Sequence, residues 1–159
     1  MKHVFWVYEN ELAGRPGPGK APWQLSELKA GGFDMILCLA SDLYLHQDAT
    51  KVGLSRTCIP FSDVTEPDDY VSRASAACLP ITLEVIHSNI EKGRTVLVHC
   101  AGGHDRTGLV LSYYIAWREG IGAAEAIAKL RRVRPHALTG GVWEQTALEL
   151  LPELLRKHR

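Results

Sequence analysis

The sequence predicts an α/β fold in which helices flank a mainly parallel central β-sheet. Short apolar runs, typical of buried strands, alternate with longer segments of helical spacing, and this alternation favours parallel strands joined by helices. The run at residues 35–40 contains no polar residue, as expected of a strand covered on both faces. The 159 residues, 46% of them hydrophobic, suffice for one substantial core, so we expect residues 1–159 to form a single domain.

Apolar spacing and turn residues define the expected elements. Strands are predicted at residues 5–7, 35–40, 57–60 and 95–98. Helices are predicted at residues 23–30, 43–51, 70–91, 109–117, 122–133 and 142–158. Two prolines fall inside long helical segments. We therefore expect a break or the start of a second helix at Pro80, and a bend or interruption near Pro152.

Charge and cysteine usage argue against several classes of function. The formal net charge is zero, so nothing indicates bulk nucleic-acid binding or electrostatic adsorption to membranes. The apolar run within residues 1–8 is too short for a signal peptide or a membrane span, so we expect no stable membrane insertion. The four cysteines show neither CxxC spacing nor a metal-ligand pattern, which predicts no metal and a reducing, cytoplasmic setting.

The most informative segment joins the predicted strand at 95–98 to the predicted helix at 109–117. Between them lies a glycine-bearing turn with Cys100 at its start and Arg106 six residues later. A strand, a tight turn and a helix N-terminus form an anion cradle, because the backbone N–H groups converge and the helix dipole adds partial positive charge. The residues expected to line this cradle are Ala101, Gly102, Gly103, His104, Asp105 and Arg106.

The chemistry of this segment points to nucleophilic catalysis. Thiols at helix N-termini or near cations ionise more readily, and the thiolate is the nucleophilic form, so Cys100 is the candidate nucleophile. Arg106 carries a planar fork of donors that fits two phosphoryl oxygens. Thr107 would place a hydroxyl near the sulfur, where it could stabilise the departing thiolate in a second step. A buried structural thiol is the better interpretation for the other three cysteines.

This segment resembles the signature loop of the protein tyrosine and dual-specificity phosphatases, His-Cys-x5-Arg-Ser/Thr. The motif is complete as His99, Cys100, Arg106 and Thr107, with the family's middle glycine at Gly103. Residues 6–14, 132–135 and 144–145 are similar to those of the small atypical dual-specificity phosphatases.

The resemblance implies a dual-specificity phosphatase-like fold and a cysteine-dependent phosphomonoester phosphatase. It would act through a phosphocysteine intermediate without a metal or other cofactor. The expected substrate is a phosphorylated protein, bearing phosphotyrosine and also phosphoserine or phosphothreonine, or a small phosphomonoester. We also expect a monomer.

The family's mechanism requires a proton donor for the leaving group, and four aspartates are candidates. Residues 59–63 look like the family's acid-bearing loop, which makes Asp63 the first choice. Asp68 and Asp69 lie nearer to the usual separation from the cysteine and stay open as alternatives. Asp105 is the fourth candidate, because an Asp-Arg-Thr loop ending is similar to that of phosphoinositide phosphatases and some bacterial phosphatases.

Two further residues are expected to support the site. His99 should face the strand interior and hydrogen-bond the loop backbone, which would tune the thiolate. Gln145 resembles a late glutamine that positions the hydrolytic water in related enzymes, and an exposed helical glutamine is the alternative. His104 is expected to face solvent or to contact an additional phosphate. One of the arginines in residues 131–134 is a candidate for a substrate-facing role.

Three alternative functions stay open at this point. A phosphoinositide or inositol phosphate phosphatase of the same fold is favoured by His104 and Asp105. A non-catalytic phosphate-binding module would not need the complete cysteine, arginine and threonine set. A rhodanese-like sulfurtransferase also places a cysteine at a helix N-terminus, but the Cys-x5-Arg spacing counts against it.

Overall fold

The computed structural model describes residues 1–41, 48–62 and 69–158. The strands in this part of the chain are β1 (Phe5–Tyr8), β2 (Leu12–Arg15), β3 (Met35–Cys38), β4 (Ser55–Cys58) and β5 (Val96–His99). The α-helices are α1 (Leu25–Ala30), α2 (Asp69–Glu91), α3 (Arg106–Glu119), α4 (Ala123–Arg131) and α5 (Trp143–His158). A short 3₁₀ helix covers Ala49–Val52.

The five strands form one sheet with the order β1-β2-β5-β3-β4. Strand β1 runs antiparallel to β2, and the other three pairings are parallel. The predicted α/β fold with a mainly parallel sheet is therefore confirmed. Strand β5 lies at the centre, so the residues that follow it lie at the carboxyl edge of the sheet, where ligands bind in α/β proteins.

Side chains alternate between the two faces of each central strand, and both faces of these strands are buried. Val96 and Val98 pack into the larger core with helices α2 to α5, whereas Leu97 packs into a smaller core with α1. Every residue of β5 has a relative exposure of zero. The central strand is thus held from both sides, and this fixes the position of the segment that follows it.

Strand β2 was not among the predicted strands, and Gly14 explains why. A glycine followed by a turn cluster is a weak strand signal, since glycine has no side chain to pack. Here the absence of a side chain is required, because a Cβ on Gly14 would lie 2.2 Å from the Cζ atom of Phe5. The phenyl ring of β1 fills the space over the glycine and closes the edge of the larger core.

The break expected at Pro80 is wrong, and at Pro152 the helix is not interrupted. Helix α2 continues through Pro80, and α5 continues through Pro152. Next to Pro80, the side chains of Leu79 and Thr82 are fully buried, and the Thr82 hydroxyl donates a hydrogen bond of 2.7 Å to the Leu79 carbonyl. Tertiary packing therefore outweighs the hydrogen bond that a proline removes from a helix.

Several boundaries differ from the sequence-based expectation: β4, for example, covers Ser55–Cys58 instead of residues 57–60. Helix α3 begins at Arg106, three residues before its first apolar residue, because the turn itself winds directly into the helix. Most of the helix expected at residues 43–51 lies outside the described residues. Its end forms the 3₁₀ helix, and Asp48 caps that helix: the Asp48 carboxylate accepts a hydrogen bond from the amide of Thr50.

Replacing Gly14 with valine should destabilise the fold, because the new side chain would collide with the ring of Phe5. We expect the free energy of unfolding to fall by about 1–3 kcal/mol, measured by urea denaturation. Gly122→Ser is the matched control, since no described atom lies within 4 Å of a Cβ there and serine is favoured at the start of a helix. Equal unfolding midpoints for the two variants would contradict this packing argument.

Candidate active site

The candidate site is built on the Cys100 loop, residues 100–105, which connects β5 to α3. Cys100 has a relative exposure of 3% and packs against the larger core. Its Sγ atom accepts a hydrogen bond of 3.3 Å from the amide of Gly103. The loop therefore curls back on itself, and a backbone N–H group contacts the sulfur.

Four other amide groups of the Cys100 loop have no hydrogen-bond acceptor among the described residues. The N–H groups of Ala101, Gly102, His104 and Asp105 donate to no hydrogen-bond partner in the described part of the chain. Buried or half-buried amides are normally paired with a protein group or with solvent. These amides belong to a loop that curls back on a sulfur atom, and they are therefore available to bind an oxyanion.

The N-terminus of α3 adds to this electrostatic environment. Asp105 precedes the helix without forming a side-chain cap, so the N–H groups of the first turn receive no cap from it. Arg106 is the first helical residue and has a relative exposure of only 6%. The Thr107 hydroxyl is buried and has no hydrogen-bond partner among the described residues. The structure thus places the predicted cysteine, arginine and threonine together at one helix end.

The turn after β2 supports the Cys100 loop from the neighbouring strand. The amide of Gly17 donates a hydrogen bond of 2.8 Å to the carbonyl of Ala101. Gly103 has a φ of +70°, and a Cβ there would lie 2.8 Å from the carbonyl oxygen of Arg15. A Cβ on Gly17 would likewise lie 2.3 Å from the carbonyl oxygen of Cys100. Glycine is required at both positions because two backbones are in direct contact.

Arg134 holds the outer side of the loop. Its Nη2 donates to the carbonyl of Gly102 at 2.8 Å, and its Nε donates to the carbonyl of Gly103 at 3.1 Å. The C=O and N–H of a trans peptide point in opposite directions. Binding these carbonyls therefore turns the amides of Gly103 and His104 to the other side, and the Gly103 amide indeed contacts the Cys100 sulfur.

Arg134 also acts on the site through its charge. Burial lowers the pKa of Arg134, and an electrostatic interaction with Cys100 acts in the opposite direction. The sequence singled out residues 131–134 as a basic segment, but the spacing alone could not show which arginine reaches the loop. The sequence therefore did not identify Arg134 as a positioning residue, which acts on the loop backbone.

His104 packs beside this arginine. Its Nε2 lies 3.3 Å from the Nη2 of Arg134, and its ring stands 6.3 Å from that of His136, centroid to centroid. Burial lowers the pKa of His104, and the positive charge of Arg134 lowers it further. His104 is therefore half-buried within a basic group, whereas the sequence left a solvent-facing side chain and an additional phosphate contact open.

His99 lies where the sequence predicted it. The side chain is fully buried, and Nδ1 lies 3.1 Å from the carbonyl oxygen of Cys100. Because a carbonyl only accepts, Nδ1 carries the proton in this hydrogen bond. The ring also packs edge-on against Trp23 at 4.9 Å. The predicted contact with the loop backbone is confirmed, and its effect on the thiolate stays a prediction.

The candidate acids are only partly described. Asp63 and Asp68 lie outside the described residues, and Asp69 begins α2 with a side chain that the structure does not describe. Asp105 accepts a hydrogen bond of 3.1 Å from the amide of Gly140, so its carboxylate ties the Cys100 loop to the turn before α5. Asp105 therefore has a structural contact in the loop, and its role as the general acid stays a prediction.

Gln145 lies on the exposed surface of α5. Its side-chain amide donates a hydrogen bond of 2.9 Å to Glu149, one turn further along the helix. This contact fits the alternative of an exposed helical glutamine, and a role in positioning water stays a prediction.

Within the described residues, no three or more histidine, cysteine, aspartate or glutamate side chains are grouped to hold a metal ion. A helix long and apolar enough to cross a membrane is also absent from that part of the chain.

A thiol in a loop with available amides, directly before a buried helix, is the arrangement that cysteine-based phosphatases use to bind an oxyanion. Residues 19–147 match the family described as dual specificity phosphatase, catalytic domain, and the chain belongs to that family.

Two fungal proteins are similar to this chain. The tyrosine-protein phosphatase cdcA of Emericella nidulans is 31% identical over 120 residues, which are 73% of this chain and 18% of that protein. The tyrosine-protein phosphatase CDC14 of Candida albicans is 30% identical over 141 residues, which are 86% of this chain and 24% of that protein. The chain therefore spans less than a quarter of the length of each of these two relatives.

The fold is also similar to that of solved structures. Tk-PTP in its active form has a TM-score of 0.78 and 26% sequence identity, with 98% of each chain covered.

Replacing Arg134 with methionine should loosen the Cys100 loop, because two hydrogen bonds from a charged donor to the loop carbonyls are lost. Each such bond contributes about 1.5–3 kcal/mol, so tungstate binding measured by calorimetry should weaken at least tenfold. Arg132→Met is the matched control, since Arg132 is exposed and next but one in sequence. Equal tungstate affinities in both variants would contradict the positioning role.

Proposed function

We propose that this protein is a cysteine-dependent phosphomonoester phosphatase of the protein tyrosine and dual-specificity type. The single observation that carries the proposal is the Cys100 loop itself: the sulfur accepts a hydrogen bond from the Gly103 amide, other amides of the loop have no partner among the described residues, and the helix that follows starts without a side-chain cap. Membership of the dual specificity phosphatase family supports the same chemistry.

In the first step, the Cys100 thiolate attacks the phosphorus atom in line with the leaving oxygen. The S–P bond forms as the P–O bond breaks, and the product is a phosphocysteine. Amides of the Cys100 loop and the guanidinium of Arg106 bind the equatorial oxygens and stabilise the charge that develops there. Arg134 keeps these amides oriented through its contacts with the carbonyls of Gly102 and Gly103.

An aspartate protonates the leaving oxygen in this step, and we propose Asp63 for that role. In the second step, a water molecule attacks the phosphorus and transfers its proton to the same carboxylate. The S–P bond breaks, and inorganic phosphate and the thiolate are released. The buried hydroxyl of Thr107 is suited to stabilise the departing sulfur, since it has no other hydrogen-bond partner among the described residues.

The proposed substrates are phosphoproteins, with phosphotyrosine first and phosphoserine or phosphothreonine in addition, or small phosphomonoesters. The two fungal relatives are named tyrosine-protein phosphatases, which supports this choice. We further propose that residues 1–159 act as one catalytic domain and as a monomer. A reducing compartment such as the cytoplasm suits a protein whose four cysteines are all free thiols.

A phosphoinositide or inositol phosphate is the second candidate substrate class. The observation that favours it is the basic group formed by His104, Arg134 and His136 beside the Cys100 loop. A second phosphate on the substrate would be attracted to this group. Rates on matched phosphotyrosine peptides and inositol phosphates separate the two classes.

Replacing Cys100 with serine should abolish hydrolysis of p-nitrophenyl phosphate, because a serine hydroxyl is a far weaker nucleophile than a thiolate. Tungstate binding should largely persist, since the amides of the loop are unchanged. The exposed Cys58 provides the control, and Cys58→Ser should keep full activity. Turnover by the Cys100→Ser variant would refute the nucleophile, and an inactive wild type would favour a non-catalytic phosphate-binding module.

The general acid can be identified by the leaving group that each variant tolerates. Asp63→Asn should lower kcat on phenyl phosphate by about 100-fold or more, because phenolate needs a proton to depart. The loss should be smaller on p-nitrophenyl phosphate, whose leaving group is stable as an anion. Asp68→Asn, Asp69→Asn and Asp105→Asn serve as parallel variants. The same leaving-group pattern in one of these, with Asp63→Asn unaffected, would move the role to that residue.

A further inference from the structure

Leu138 adopts a backbone conformation that a branched side chain rarely takes. Its φ is +62°, which lies in the left-handed region. Two other described non-glycine residues, His3 and Asn10, have a positive φ, and both are exposed. Leu138 has a relative exposure of 1% and belongs to the larger core. Strained residues persist only where the surrounding structure holds them, and they concentrate at functional sites.

The amide of Leu138 binds the Cys100 loop close to the start of α3. It donates a hydrogen bond of 3.1 Å to the carbonyl oxygen of His104. Leu138 lies in the turn between α4 and α5, residues 132–142, which we call the α4–α5 turn. Two residues further on, the amide of Gly140 donates to the carboxylate of Asp105 at 3.1 Å. Two amides of one turn therefore hold the end of the Cys100 loop.

The peptide group between Ala137 and Leu138 is held at both of its polar atoms. Its carbonyl oxygen accepts a hydrogen bond of 3.0 Å from the Nε of Arg131, and its N–H binds His104. The Leu138 side chain packs against the first turn of α3, where a Cβ on Gly108 would lie 3.1 Å from the Leu138 Cγ. The left-handed φ reconciles these contacts, since the N–H reaches the loop while the side chain lies in the core.

The carbonyl that Leu138 binds belongs to the same peptide group as the amide of Asp105. The C=O and N–H of a trans peptide point in opposite directions, so the Asp105 N–H points away from the α4–α5 turn. That N–H has no hydrogen-bond acceptor among the described residues. Arg134 acts in the same way on the carbonyls of the two preceding loop residues.

We propose that Leu138 is a positioning residue for the oxyanion site. Its backbone N–H orients the Asp105 amide toward the bound oxyanion, and the packing of its side chain against α3 stabilises the strained φ. Arg134 and Leu138 then orient three successive amides of the loop, those of Gly103, His104 and Asp105. This role rests on the proposed function, because the oxyanion site is the one proposed there.

An amide-to-ester replacement at residue 138 tests the role directly. Leucic acid, incorporated into the full chain by nonsense suppression, removes the N–H and keeps the leucine side chain. Tungstate binding measured by calorimetry should weaken about tenfold, because one donor to the oxyanion is no longer oriented. The same replacement at Thr139 is the matched control, since that amide donates within the turn, to the carbonyl of His136 at 3.4 Å. Equal affinities in the two ester variants would overturn the proposal.

A spectroscopic readout separates positioning from general stability. In the ¹⁵N-labelled wild type, tungstate should shift the Asp105 amide proton downfield, because that amide acquires an acceptor. The shift should be lost in the ester variant at residue 138. Leu138→Ala keeps the amide, so it should retain the shift while its urea midpoint falls, because a buried side chain is removed. An Asp105 shift that persists in the ester variant would overturn the proposal, whatever Leu138→Ala does.

Failure of the proposed function gives a different result. A wild type that shows the Asp105 shift with tungstate, yet does not hydrolyse p-nitrophenyl phosphate, would refute the phosphatase and support the orientation of the amide. An active wild type whose Asp105 amide does not respond to tungstate would refute the positioning role alone.

Discussion

The Cys100 loop keeps its shape because it lies directly against the backbone that follows β2. The amide of Gly17 binds the carbonyl of Ala101, and Gly103 contacts the carbonyl of Arg15 with no side chain between them. Strands β2 and β5 are parallel neighbours, so their ends bring these two segments to the same edge of the sheet. The position of the Cys100 sulfur relative to the loop amides depends on this contact.

The half-buried Arg134 then determines the direction in which two peptide groups of the loop point. Arg134 binds the carbonyls of Gly102 and Gly103 on one side, and the amides of the same peptides face the opposite side. Arg106 starts the helix beneath the loop and is almost fully buried. These two peptide groups thus serve two purposes: their oxygens bind Arg134, and their N–H groups point to the opposite side, where the Gly103 amide contacts the sulfur.

Much of the fold and the centre of the site were predictable because their signals are local. The apolar run of β3 and the Cys-x5-Arg spacing are each contained in a short stretch, so the mainly parallel sheet and the site at Cys100 could both be predicted. What could not be predicted depends on contacts between distant segments. In the sequence, Gly14 indicates a turn, and only the structure shows that the ring of Phe5 covers it. Likewise, Arg134 indicates a helix end, and only the structure shows that it binds a loop carbonyl.

The start of α3 couples ligand binding to the stability of the whole domain. A side-chain cap contributes about 1 kcal/mol to a helix, and Asp105 supplies none here. An oxyanion bound at the loop, as proposed above, would take over that role and would bind the folded chain rather than the unfolded one. By mass action, a ligand at 100 times its Kd adds about 2.7 kcal/mol to the free energy of unfolding. If the proposed oxyanion site is correct, we therefore expect the melting temperature to rise with the concentration of phosphate in the buffer, so that phosphate in solution stabilises the folded chain.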